Sequence, residues 1–345
     1  MAVVLVLRLS ALGDVAMLIP VLYSIANRNK ADSFVLLTKS SLVSIFDSKP
    51  KNVDVIAVYE KTKHKGLIGL ARLIHSLSKQ KIDKVADLHD VLRSQAISNF
   101  FRLKGKKIAS INKGRREKKA LSAKKNKIFA PLKSSIERYQ EVFESLGYDA
   151  RIEFKSIFDN RERKFEEIEI LTGKKNGRWI GIAPFAKHKG KTYPIEKMEA
   201  LLKLLSKKED IKIFLFGGGH EIEILDAWAS KHENIRSMAG KTSFPTELLI
   251  MSYLDLMVSM DSGNMHLASL VATPVLSIWG ATHPFAGFYG FGQDPKNAIQ
   301  IEGLSCRPCS IFGNKACLRN DYACLEISPE LIVEKIMCYE PGNKN

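Results

Sequence analysis

Residues 258–284 constrain the fold of this chain more than any other stretch: Val-Ser-Met-Asp-Ser-Gly-Asn-Met-His-Leu-Ala-Ser-Leu-Val-Ala-Thr-Pro-Val-Leu-Ser-Ile-Trp-Gly-Ala-Thr-His-Pro. Leu254–Met260 is short and mostly apolar, which predicts a buried strand, and it stops at Asp261-Ser262-Gly263, residues suited to a turn and a helix N-cap. Asn264–Val271 then reads as a helix, Thr273-Pro274 ends it, and Val275–Trp279 is the next buried strand, closed by Gly280. A strand–turn–helix–strand unit belongs to a parallel sheet, whose ligands collect where strands end and helices begin. Backbone N–H groups at Gly263 and Asn264 would face an anion, and Ser262 and His266 could add side-chain donors. An ordinary capped helix with a structural histidine would use some of the same residues. The complete Asp-Ser-Gly-x-x-His-x-Ala pattern between two buried strands favours the ligand-binding alternative.

The same alternation starts the chain. Val3–Leu9 is a strand run that turns at Ser10-Ala11-Leu12-Gly13-Asp14 into a helix from about Val15 to Asn27, in which Pro20 predicts a kink or a second start. Gly13 permits close approach of a ligand, and Asp14 lies at a strand's carboxyl end, where a helix N-cap is the plain alternative. Strands Phe34–Thr38, Val53–Tyr59, Lys84–Leu88 and Lys107–Ile111 follow, with helices around Ser41–Phe46, over Gly66–Lys79 and up to Phe101. Ser134/Ser135 cap an amphipathic helix, Ile136–Leu146, and Tyr148–Gly177 reads as a linker with a charged helical stretch at Arg161–Leu171. A second series opens with strand Trp179–Pro184, helix Ile195–Leu205 and strand Ile211–Phe216. Between the first two lie Lys187, Lys189, Gly190 and Lys191 ahead of Pro194, a pattern suited to a pyrophosphate clamp. Gly217-Gly218-Gly219-His220-Glu221 allows backbone approach to a nucleotide, yet is neither a G-x-G-x-x-G fingerprint nor a P-loop.

Composition matters chiefly through charge. The chain of 345 residues carries a net +16, and twelve Lys or Arg face one acid, Glu117, between Arg102 and Lys127. Anionic partners follow from that balance: nucleic acid, a phosphorylated lipid surface, or solvent alone. No zinc-finger, RNP or helix-turn-helix pattern accompanies the charge, so no specific nucleic acid is expected, and Lys113–Lys127 reads as a mobile loop that orders over an acidic acceptor. The amino-terminal residues lack a signal-peptide pattern and no run approaches a membrane span, from which a cytoplasmic protein is expected. Cys306-x2-Cys309-x7-Cys317-x6-Cys324 suggests zinc before disulfides, although the spacing is not that of a zinc ribbon, and Cys338 reads as a packed free thiol.

Asp261 to Ala268, followed by Gly280-Ala281-Thr282, resembles the donor-binding signature of glycosyltransferase family 9, the ADP-heptose:lipopolysaccharide heptosyltransferases. Arg8 to Ala16 is similar to that family's opening motif, whose aspartate is its proposed general base, and this implies the same role for Asp14. Lys191-Thr192-Tyr193-Pro194 is similar to the family's Lys-x-Trp-Pro with Tyr for Trp, which implies that Lys191 binds phosphate and assists catalysis. Just upstream the chain departs from the pattern: relatives often carry Ser or Thr where Ala186 and Lys187 stand, and Lys187 could serve the same phosphates. The resemblance further implies donor contacts at Gly13, Glu221 (ribose or adenine), Asp261, Ser262, Gly263 and His266, a nucleotide-side loop at Met238–Ser243, and an acceptor contact at Arg93. The cysteine loop resembles one common in the family, where it implies no catalytic metal.

The fold so implied is α/β of the GT-B type: two Rossmann-like, doubly wound parallel-sheet domains facing a central cleft. Residues 1–160 would bind the acceptor, 161–327 the nucleotide sugar, and a helix within 328–345 would pack back on the first domain. The function implied is transfer of a heptose, with inversion, from ADP-heptose to the Kdo/heptose inner core of lipopolysaccharide on lipid A. No metal or other cofactor is expected, since the sequence holds no Asp-x-Asp pair for a metal-bound diphosphate. The enzyme would be cytoplasmic, working on the cytoplasmic face of the inner membrane. Two rival classes remain open: a family 9-like enzyme with another donor or glycan, and a non-catalytic protein binding nucleotide sugars or nucleic acid.

Overall fold

A computed structural model describes residues 1–159 and 161–340. The contacts divide the chain into two units, and the division is not a single cut: residues 1–113 with 134–157 form the first, and residues 114–133 with the chain from Phe158 on form the second.

The first unit holds β1 (Val3–Leu7), α1 (Leu12–Arg28), β2 (Ser33–Lys39), β3 (Val53–Val58), α2 (Gly66–Ser78), β4 (Lys84–Asp87), α3 (Leu92–Leu103) and β5 (Lys107–Ser110). Its five strands are all parallel in the order β3-β2-β1-β4-β5. A parallel sheet is covered on both faces, so its strands are continuous apolar runs, and Val4–Leu7 are fully buried. α1 runs through Pro20 as one helix and is buried from Val15 to Ala26, as a helix apolar on all sides must be. After α4 (Arg115–Leu121), which belongs to the second unit, the chain returns as α5 (Ser135–Ser145). A reciprocal capping box starts α5: Ser134 Oγ accepts from the Glu137 N–H at 3.1 Å, and Glu137 Oε2 accepts from the Ser134 N–H at 2.6 Å.

The second unit continues with α6 (Glu166–Thr172), β6 (Arg178–Ala183), α7 (Ile195–Ser206), β7 (Ile211–Leu215), α8 (Ile222–Ala229), β8 (Ile235–Ser237), α9 (Phe244–Ser252), β9 (Leu256–Met260), α10 (Gly263–Leu270), β10 (Val275–Trp279), β11 (Ala298–Gln300) and α11 (Pro329–Met337). Its sheet order is β11-β10-β9-β6-β7-β8, again all parallel. β6 pairs with both β7 and β9, so the sequence order reverses between β6 and β9. In a doubly wound sheet that reversal opens a crevice at the carboxyl ends of the two strands.

α11 belongs to the second unit, where Ile332 and Ile336 are buried in the core and the helix packs on α7. Two expectations are corrected here. The basic stretch is not a mobile loop of the first domain. α4 carries Leu121 into an apolar cluster with Leu132, Phe285, Ala286, Phe288 and Ile311 of the second unit, and Lys127 Nζ donates to the carbonyls of Ser305, Arg307 and Pro308. Finally, Cys338 is exposed and not packed. Cys306, Cys309, Cys317 and Cys324 are free thiols, and among the described residues no group of three or more metal-ligating side chains gathers.

Candidate active site

At the crevice between β6 and β9 the second unit holds a largely buried ion pair. After β6 the chain makes a tight helical turn at Lys189–Lys191, and after β9 it runs through Asp261 and Ser262 into α10. Lys191 Nζ lies 3.0 Å from Asp261 Oδ2, their side chains being 16% and 6% exposed. The same Asp261 oxygen accepts from Thr282 Oγ1 at 2.8 Å, which brings in the loop after β10. A buried carboxylate needs such partners, because removing an ion from water is costly unless it is paired. Of the three ammonium donors of Lys191, this pair orients one.

Glycines let these loops close on one another. The Ala281 N–H donates to Gly190 O at 2.7 Å, and a Cβ on Gly280 would stand 2.5 Å from that oxygen. Gly313, in left-handed backbone at φ +73°, covers the Lys191 stem so tightly that a Cβ there would lie 2.4 Å from Lys191 Cγ. Arg307 braces the far side. Its buried guanidinium donates from Nε to Gly280 O at 2.7 Å and from Nη2 to the carbonyls of Trp279 and Thr282. Sequence reasoning found Lys191 and Asp261, named Thr282 only within the donor-binding signature, and gave no role to Arg307 or Gly313. Only the Cys-Arg-Pro-Cys string could have hinted at Arg307.

α10 begins at Gly263 with Ser262 as an extended N-cap whose side chain makes no capping bond; its Oγ instead lies 3.3 Å from Ser259 Oγ. The first N–H groups of α10 therefore have no side-chain cap, and a helix start of this kind attracts anions. His266 is buried one turn in. Lys187 is exposed on the neighbouring turn. Together with burial, it and Lys191 hold the His188 imidazole below its ordinary pKa. Glu221 folds back on its own glycine turn, with Oε2 accepting from the Gly218 N–H at 3.0 Å. Behind the Met238–Ser243 loop, burial pushes Glu247 up to about 7 although Thr242 Oγ1 donates to it at 3.1 Å.

In the first unit the order reverses between β1 and β4, and Asp14 sits in the first turn of the helix that follows β1. Its Oδ2 accepts from the Ala11 N–H at 3.1 Å and pairs with Arg8 Nη2 at 2.6 Å. Arg8 is buried, donates from Nη1 to Leu88 O at 2.5 Å, and lies over the Tyr139 ring. Burial opposes the Arg8 charge, but Tyr139, Asp14 and Asp87 overcome it and raise its pKa. Gly13 is the residue before Asp14 within α1. Beyond β4, buried Asp87 accepts from the N–H groups of His89 and Asp90 at 3.0 and 2.8 Å, fixing that loop. His89 is driven to about 4 by burial and then by Arg8 and Lys113, so its ring is neutral at pH 7. Arg93, half-buried at the start of α3, donates from Nη1 to His64 O at 2.8 Å. Thus the structure gathers Lys191, Asp261, Ser262, Gly263 and His266 on two facing turns, sets Lys187 and Glu221 on adjoining loops, and puts Gly13, Asp14 and Arg93 in the first unit.

Comparison with known proteins shows the family and the fold. Residues 70–310 match Glycosyltransferase family 9 (heptosyltransferase). The chain is 24% identical over 331 residues to the lipooligosaccharide heptosyltransferase 2 of Campylobacter jejuni subsp. jejuni serotype O:6, covering 94% of this chain and 95% of that one. It is 27% identical over 297 residues to the lipopolysaccharide heptosyltransferase 1 of Campylobacter coli, with 80% and 83% covered. Among solved structures, the E. coli heptosyltransferase WaaC with ADP-2-deoxy-2-fluoro heptose superposes with a TM-score of 0.68 at 20% identity, over 97% of this chain and 99% of that one. The GT-B fold is thereby shown.

Proposed function

This chain belongs to glycosyltransferase family 9, and from that premise we propose that it transfers a heptose, with inversion, from ADP-heptose to the inner core of a lipopolysaccharide precursor. The observation that carries the donor half is the Lys191–Asp261–Thr282 cluster at the β6/β9 switch point, beside the N-terminus of α10. Lys191 and those backbone N–H groups are suited to the diphosphate of a departing ADP, without a divalent ion. Gly13, Lys187, Glu221, Ser262, Gly263 and His266 complete the donor contacts in this proposal, and Arg93 meets the anionic acceptor.

The reaction is a single in-line displacement. An acceptor hydroxyl attacks the anomeric carbon, the bond from that carbon to the diphosphate oxygen breaks, and ADP leaves with the electron pair. The hydroxyl proton passes to Asp14, whose Oδ2 is occupied by Arg8 and the Ala11 N–H, leaving Oδ1 to receive it. No helix among the described residues is long and apolar enough to cross a membrane, and the proposed site of action is the cytoplasmic face of the inner membrane, reached peripherally.

A thermal-shift series with ADP, UDP, GDP and their sugars tests the donor. Stabilisation by the ADP species alone is expected, and stabilisation by UDP or GDP species instead would pass the case to a family 9 enzyme of another donor. Release of ADP from ADP-heptose on adding a Kdo-lipid A acceptor tests the reaction, and binding without release would leave a nucleotide-sugar sensor. Lys191→Ala should weaken ADP binding by at least roughly tenfold, as expected when a charged hydrogen-bond donor is removed; unchanged ADP titration would remove Lys191 from the site.

A further inference from the structure

The first unit carries an amphiphilic surface that neither the donor site nor the proposed base uses. After β3 the chain forms a loop, residues 59–65, and enters α2 at Gly66. Leu67 and Ile68, both in the first turn of α2, are 85% and 78% exposed, whereas Leu73 and Leu77 of the same helix are buried in the core. Lys61, Lys63 and Lys65 of the loop are exposed alongside them. Single exposed aliphatic residues are ordinary; two adjacent ones at the mouth of a lysine loop are not.

The loop is built to hold this display. The Tyr59 carbonyl accepts from the N–H groups of Thr62 and His64, and the Tyr59 N–H donates to His64 Nδ1 at 3.1 Å. His64 is buried, and its carbonyl is held by Arg93 at 2.8 Å. Arg72 Nη1 donates to Lys63 O at 3.1 Å. Gly66 takes left-handed backbone at φ +64°, and a Cβ on Gly69 would stand 2.3 Å from His64 C, so the loop can lie on α2 only because that position is glycine. Next to Arg93, Leu92 at the start of α3 is 87% exposed.

We propose that the first turn of α2 is a membrane wedge: Leu67 and Ile68 enter the acyl boundary of an anionic lipid surface while Lys61, Lys63 and Lys65 lie in its headgroup layer. The charge decides the occupant. Glu60 is the only acid between residues 59 and 72, and Lys39 already engages it at 2.8 Å. A second copy of a +16 chain would bring like charges together. Single-stranded nucleic acid is gripped by stacking aromatics, whereas the most exposed apolar side chains here are the aliphatic Leu67 and Ile68, and the one aromatic of the loop, Tyr59, is 47% exposed with its ring beside His64. Lysines around a small aliphatic tip match an anionic bilayer on both counts. In a parallel sheet the loops after β1, β3 and β4 all leave the same edge, so the wedge shares its edge with Asp14. A lipid-borne acceptor held there would meet the face that carries the proposed base. The wedge does not depend on the transferase proposal, because lipid binding and donor binding are measured apart.

Co-sedimentation of the full chain with vesicles of phosphatidylcholine plus about 30 mol% phosphatidylglycerol, and with pure phosphatidylcholine vesicles, tests it. Binding to the anionic vesicles only is expected. Leu67→Ser/Ile68→Ser should weaken it by at least roughly tenfold, and Lys63→Glu/Lys65→Glu by more, with ADP affinity and circular dichroism as in the unsubstituted chain. Ile68→Trp gives a direct reading: the fluorescence of the added indole should shift to the blue and be quenched by brominated lipid. The proposal is overturned if the chain ignores anionic vesicles, if the serine pair binds them undiminished, or if the emission added by Ile68→Trp stays that of an indole in water. Tight binding of a single-stranded oligonucleotide through the same lysines, with no vesicle binding, would assign the surface to nucleic acid.

Discussion

Asp14 keeps one carboxylate oxygen for Arg8 and the Ala11 N–H, which fixes the direction in which the other can act. Asp14→Asn preserves size and removes the proton acceptor, so kcat should fall by about 10²–10⁴ while ADP affinity, which the proposal assigns chiefly to the Lys191 and α10 turns, stays nearly unchanged. Steady-state kinetics beside ADP titration check this, and wild-type turnover would reduce Asp14 to a helix cap. His89 makes a prediction of a different kind. Its Nδ1 is buried without a hydrogen-bond partner, and burial, then Arg8 and Lys113, hold its pKa at about 4. The unfolded chain has the ordinary value of about 6.5. Between these values the unfolded state binds the extra proton, so the contribution of neutral His89 is complete above pH 6.5 and is lost as the pH falls toward 4. Burial pushes His283 to about 4 as well, giving the same slope in any variant. Replacing His89 by Gln should therefore leave a shallower acid limb, by up to about 2 kcal/mol after allowance for partial exposure. Urea unfolding at pH 7 and pH 4.5 would show it, and identical pH dependence would refute it.

Loops after the strands, more than the strands themselves, make the candidate site, and they differ in how legible they were. β9, α10 and β10 were readable within about two residues of their ends, because a buried parallel strand is a continuous apolar run and Asp-Ser-Gly is a natural break. Lys191 and Asp261 were readable as members of motifs, though not as partners, since pairing depends on β6 and β9 being neighbours. Gly313 could not be found, because its constraint comes from a lysine far back in the chain. Pro20 does not mark a second start, for α1 runs through it as one helix. Gly313→Ala tests the covering loop: a Cβ 2.4 Å from Lys191 Cγ, on left-handed backbone, should lower stability by about 1–3 kcal/mol and ADP affinity with it. Gly303→Ala is the control, for φ is +74° there and a Cβ meets nothing within 4 Å. It should lower the melting temperature and leave ADP titration alone. Equal ADP binding in both variants would mean that the Gly313 loop does not position Lys191.

At the scale of the whole molecule, the chain passes from one unit to the other three times, after residues 113, 133 and 157. A sequence reading with one boundary near 160 missed this because residues 114–133 are polar and basic, and only Leu121 and Leu132 mark where they dock. Those two leucines close an apolar cluster around Phe285, Ala286, Phe288 and Ile311, and Lys127 ties down the carbonyls of the cysteine loop. The segment is therefore part of the second unit's fold, although it is inserted in the sequence of the first. A fragment beginning at Phe158 would lack it. Replacing residues 115–132 with a flexible Gly/Ser linker should leave the β1–β5 sheet intact, since its core draws on none of these residues. The 283–312 region should lose its cover, with dye-binding apolar surface appearing around Phe285 and Phe288 and amide protection falling there by about 1–3 kcal/mol, the scale of two leucines leaving a partly closed cluster. Hydrogen exchange resolved by segment separates the alternatives. Loss confined to 283–312 would establish the segment as a strap of the second unit, and loss in the first sheet would return it to the first domain.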